Sequence, residues 1–122
     1  NEIDSAEKLE DVKVELEDRF GRVTDDMLIY MYEEWFEKLA KQVRIKRVSQ
    51  TKNSIELVFP SDVVSKFKVD ELFMDSYDIS PSFRFLSRGS NLVIILDIIK
   101  LEKHPIYYLV SLLDLIYHKF FT

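Results

Sequence analysis

Leu9, Val12, Leu16 and Phe20 recur at intervals of three and four residues, and Gly21 follows at once. The chain must therefore run as one amphipathic helix and then turn before anything else can form. The spacing predicts a first helix from about Ser5 to Phe20, with Gly21 as its left-handed terminator. On a wheel of about 100° per residue, Glu7, Asp11, Glu15 and Asp18 lie opposite the apolar stripe, and Val14 stands among them as an exposed apolar residue. This acidic face breaks two local rules. Glu7, Asp11 and Glu15 are like charges four apart, each spacing costing a few tenths of a kcal/mol. Glu15, Glu17 and Asp18 crowd the helix end where the macrodipole favours cations. Such a face is either the solvated side of an acidic protein or a surface kept for docking, and the residues alone leave both open.

Thr24 or Asp25 caps a second helix reaching about Val43, with Asp25 and Asp26 in its first turn. Its apolar residues include Met27, Leu28, Met31, Trp35, Leu39 and Ala40, while Ile29, Tyr30, Tyr32 and Phe36 widen the stripe to most of the circumference. That width predicts a helix central in the fold, with Trp35 in the core rather than at an interface. Ile45 to Gln50 and Ile55 to Phe59 read as two strands about Thr51, Lys52, Asn53 and Ser54, a polar turn in which Asn53 is available for a positive φ. Pro60 ends this hairpin. Ser61 and Asp62 cap a helical stretch in which Val63, Val64, Phe67, Leu72 and Phe73 supply contacts, with a break near Lys68. Phe83 to Ser87 and Leu92 to Ile98 form a second hairpin about Arg88 to Asn91, and the apolar run Leu92 to Leu96 has the pattern of an interior strand covered on both faces. His104 and Pro105 open a closing helix carrying Ile106, Leu109, Val110, Leu113, Ile116, Tyr117 and Phe120. The expected fold is α+β: two N-terminal helices, two β-hairpins forming one sheet and separated by a short helical segment, and a C-terminal helix.

At 122 residues, 47% hydrophobic and 32% charged, the chain has the size and composition of one soluble domain, residues 1–122, with its own core. There is no cysteine, which removes disulfides, thiolate metal sites and a cysteine nucleophile and suits a reducing cytoplasm. No run of about 18 apolar residues and no signal-peptide pattern occurs, so neither export nor membrane insertion is expected. The start at Asn1 suggests a piece of something longer. With only Gly21 and Gly89 as glycines, no glycine-rich phosphate loop can be built. His104 and His118 lack metal-ligand spacing, His104 being better used as a cap before Pro105, and no serine sits in a nucleophile elbow. Catalysis, cofactors and metals are therefore not expected here.

The net charge of -5 is unevenly placed. Seven acids against Lys8 and Lys13 between Asp4 and Asp18 account for all of it. From Lys38 to Lys52 the six bases Lys38, Lys41, Arg44, Lys46, Arg47 and Lys52 meet no acid. That stretch admits a nucleic-acid footprint. Because the whole chain is acidic and the bases are shared between two elements, a helix C-terminus followed by a charged edge strand is the better account of them.

Glu15, Leu16, Asp18, Arg19, Phe20 and Gly21 reproduce the E-L-x-D-R-F-G signature that opens the C-terminal domain of the bacterial transcription-repair coupling factors, and the segment resembles that family. The resemblance extends without gaps through Lys38 to Val48, which follows the family's L-L-A-x-x-L-G-I-x-K-I pattern, and beyond Phe59 it is one of pattern alone. Thr24 replaces the proline usual after the signature, and Arg44 the usual glycine before the strand. These departures bear on how the second helix starts and on its exit turn. The resemblance implies a non-catalytic, monomeric C-terminal regulatory domain of an ATP-driven DNA translocase. That parent acts on stalled RNA polymerase and recruits the excision-repair protein UvrA through a UvrB-like module. The domain would cover the module, mask UvrA binding and restrain the motor. Glu15 and Asp18 would face arginines of the module, flanked by Asp11 and Val14, and Arg19 would pair locally with Glu15. The alternative is a nucleic-acid-binding accessory domain using the six bases of residues 38–52.

Overall fold

The computed structural model describes residues 10–15, 17 and 24–122. In chain order the elements are α1 (helical at residues 10–15 and 17), α2 (Asp25–Gln42), β1 (Arg47–Gln50), β2 (Ser54–Phe59), α3 (Ser61–Val64), α4 (Val69–Ile79), β3 (Phe83–Arg88), β4 (Asn91–Asp97) and α5 (Pro105–Phe120). The α+β order of helices, hairpins and closing helix is the one the sequence implies. Gly21, proposed as the terminator of the first helix, lies outside the described residues.

The two hairpins join into one antiparallel sheet of order β1-β2-β4-β3. β2 meets β4 along its whole length, from Ser54↔Asp97 to Phe59↔Leu92. Strand alternation then sends Ile55, Leu57 and Phe59, with Leu92, Ile94 and Leu96, to one face. There they join Met31, Trp35 and Leu39 of α2, Val63, Phe67, Leu72 and the apolar side of α5 in one core. Leu92 to Leu96 is buried throughout, as an interior strand requires. Its second face is closed by sheet residues: Val58, Val93 and Ile95 cluster with Leu86. Arg84 reaches Asp97 in a bidentate pair at 2.7 and 3.0 Å, and Arg88 reaches Glu56 at 3.2 Å. Alternation and register put these ion pairs on the side of Val93 and Ile95, where arginine stems can cover the small apolar strip.

Turn chemistry sets the hairpins. In the second, Gly89 has φ 65° as the first of two central residues, the pattern of a type II′ turn. In the first, the expected positive φ at Asn53 is not adopted. The Thr51 hydroxyl instead accepts hydrogen bonds from the backbone N–H groups of Asn53 (3.3 Å) and Ser54 (3.1 Å), closing the turn without left-handed backbone.

Side-chain caps hold the starts of α2 and α5 but not those of α3 and α4. Thr24, standing where the resembling family has proline, caps α2 by accepting from the Met27 N–H at 3.2 Å. His104 caps α5, its Nδ1 accepting from the Ile106 N–H at 3.1 Å ahead of Pro105. Ser61 and Asp62 are not caps: Pro60 holds that position of α3 without a side-chain bond, and Asp62 turns instead to Arg44. The helical stretch does break before Lys68, which becomes the N-cap of α4. Phe73 lies 44% exposed rather than in the core, in edge contact with Phe85.

The end of α2 departs as well. Arg44 takes φ 59°, and the hydrogen bonds Arg44 N–H to Lys41 C=O (3.2 Å) and Ile45 N–H to Ala40 C=O (3.0 Å) complete a Schellman motif. The exit turn is thus as tight as a glycine would make it. It also spends the Ile45 N–H, which is why β1 begins at Arg47 and not at Ile45. α2 is less central than its wide stripe implies. It packs along α5, with Tyr32 and Tyr107 edge to face at 4.7 Å, and buries only Met31, Trp35 and Leu39. Tyr30 is 61% exposed and its hydroxyl lies 3.4 Å from Glu34, a polar end that lets an aromatic residue face water.

Candidate interdomain surface and basic groove

α1 turns Val12 and its neighbours in opposite directions. Val12 is half-buried against the core, whereas Asp11, Val14, Glu15 and Glu17 are exposed, Val14 at 50%. Glu10 lies close enough to Tyr32 to bear on its hydroxyl, whose pKa is raised by burial first, then by Tyr107 and by Glu10. The helix therefore lies beside α2 with one apolar residue inward and an acidic edge outward. Of the four residues expected at an interdomain contact, Asp11, Val14 and Glu15 are on this edge. Asp18 lies outside the described residues, as does Arg19.

The basic stretch is sorted by the fold. Lys41, Arg44, Lys46 and Arg47 line a groove of about 550 Å3 between the end of α2 and β1, floored by Phe36, Ala40, Ile45 and Val48 and edged by Glu37. Lys38 is half-buried on α2 and Lys52 sits in the β1–β2 turn, and neither lines the groove. Arg44 is paired with Asp62 at 2.7 Å. Among the described residues, Lys41, Lys46 and Arg47 enter no ion pair. Beside it, sharing Phe36, Glu37 and Val48, a second groove of about 730 Å3 runs to Ile98, His104 and Leu109.

The described residues include no group of three or more His, Cys, Asp or Glu placed to hold a metal ion. Every resolved pKa shift moves its group away from neutrality. The hydrogen bond from Arg84 holds the Asp97 carboxyl below the ordinary carboxylate range, Asp75 and Glu71 raise Lys119, and burial raises Tyr32 and Tyr107. No described helix is long and apolar enough to cross a membrane.

Sequence reasoning located the bases but missed what gathers them: the left-handed Arg44, its partner Asp62 and the apolar floor. The available signal was Arg44 itself, an arginine where the resembling pattern has glycine.

The architecture is that of a known domain. A solved crystal structure of the C-terminal domain of transcription-repair coupling factor matches with a TM-score of 0.71 at 19% identity, over 94% of this chain and 70% of that one. A family model, the TRCF domain, matches residues 1–69, and the chain belongs to that family. No curated protein matches the chain in sequence.

Proposed function

We propose that this chain is the non-catalytic regulatory domain of a cytoplasmic transcription-repair coupling factor, docking through its acidic α1 edge onto the UvrB-like module of the same polypeptide. The motor and its ATP site lie elsewhere in that polypeptide, which engages stalled RNA polymerase, DNA and UvrA. While docked, the domain masks the UvrA-binding surface and restrains the motor. The reading is supported most by the placement of Asp11, Val14 and Glu15 on the exposed side of a helix whose Val12 is tied to the core, in a member of the TRCF domain family. Glu15 and Asp18, three apart in the sequence, can receive one or two guanidinium groups, with Val14 as an apolar contact between acids. Exposed ion pairs of about 0.2 to 1 kcal/mol each suit a contact that must both hold and open.

The test is Glu15→Arg with Asp18→Arg in the full-length protein. The double variant is expected to fold normally, to bind UvrA more tightly in pull-down and to raise ATP turnover. Unchanged UvrA affinity and turnover would remove these acids from the mechanism.

A further inference from the structure

We infer that the groove between the end of α2 and β1 binds single-stranded nucleic acid, with Lys41, Arg44, Lys46 and Arg47 on phosphates and Phe36 and Val48 beneath a base. The lining cations come from different elements, Lys41 from the helix end, Arg44 and Lys46 from its exit, and Arg47 from the start of an edge strand. Three of the four have no ion-pair partner among the described residues and are available to phosphates.

A helix C-terminus ordinarily repels anions through its free carbonyls. Here the Leu39, Ala40 and Lys41 carbonyls accept from the N–H groups of Val43, Ile45 and Arg44 respectively, so these three carbonyls at the end of α2 are met by its own backbone. Arg44 occupies a left-handed conformation that glycine adopts without strain, and a strained side chain retained at a ligand-sized cleft points to use of that side chain. The groove's volume falls within the range of small-ligand sites, on the order of 300–1,000 Å3.

The floor decides the type of strand. Phe36 is half-buried and Val48 is 42% exposed, an apolar surface that a splayed base can cover. A duplex offers phosphates on its outside with its bases paired inside, and would leave that floor in water. The groove's lining shares no residue with the acidic edge of α1, and its assignment does not depend on the docking reading.

Fluorescence anisotropy of a labelled oligothymidylate of about 16 nucleotides tests this with the 122-residue chain. Binding is expected at low ionic strength, with a log–log salt slope of about -2 to -3 for three or four phosphates. Lys41→Gln/Lys46→Gln/Arg47→Gln should weaken it at least about tenfold and flatten the slope. Lys38→Gln/Lys52→Gln, outside the groove, should leave it unchanged. Circular dichroism checks that both variants fold. Absence of binding at tens of micromolar protein, or equal loss in the two variants, overturns the assignment. So does equal affinity for a duplex of the same length, or equally potent competition by polyglutamate, which would give the groove to an acidic protein segment.

Discussion

Arg44 carries two opposed effects in one side chain. Its φ of 59° lies where a Cβ crowds the backbone, at a cost of roughly 1 to 2 kcal/mol relative to glycine. Its guanidinium meets Asp62 at 2.7 Å with both side chains more than half exposed, a pair contributing about 0 to 1 kcal/mol. Replacing it by glycine removes both, and replacing it by alanine removes only the pair. Arg44→Gly is therefore expected to be more stable than Arg44→Ala by about 1 kcal/mol, read as the difference between their urea unfolding free energies. Equal stability of the two variants would mean that the turn stores no strain. The position was legible in the sequence as a departure from a glycine, but its backbone was not. A positive φ at arginine is fixed by the local Ile45-to-Ala40 bond together with the packing of Ile45 and Ala40 on the core, and that packing is a tertiary fact.

At the level of elements, both hairpins and the break before α4 could be read from period and punctuation, because alternation, Pro60 and Gly89 act locally. One boundary moved where a backbone group was claimed from outside, Ile45 by the helix exit, while the Ile98 N–H still meets the Asn53 carbonyl at 3.0 Å in register with the β2–β4 ladder. The aromatic width of α2 misled for a related reason, since a tyrosine counts as apolar in a stripe and yet can sit with its ring in water. The β3–β4 hairpin carries a pH response of calculable sign. Arg84 lowers the folded-state pKa of Asp97, chiefly by hydrogen bonding. That contribution is complete above the unfolded carboxylate value, about pH 4, and disappears as pH falls through the lower folded value. Arg84→Gln should thus lower the urea midpoint at about pH 6 and lower it by less at about pH 2. A deficit of the same size at both pH values would show that the pair is not its origin.

For the whole molecule, the sheet order joins the two halves of the chain. β2 lies within residues 1–69, the part that matches the family model, and its inner neighbour is β4, from outside it. α2, also within that part, packs along α5. A fragment of residues 1–69 is expected to show no cooperative thermal transition by circular dichroism, because β2 keeps only its β1 partner and loses β4, and Met31, Trp35 and Leu39 lose their cover. A sharp, reversible transition in that fragment would contradict the joint core. Such interlocking constrains inheritance as well as folding. Since Leu92, Ile94 and Leu96 must fit against Ile55, Leu57 and Phe59, a substitution on one side of that seam has to be matched on the other, whereas outward positions of the later half are released from the constraint.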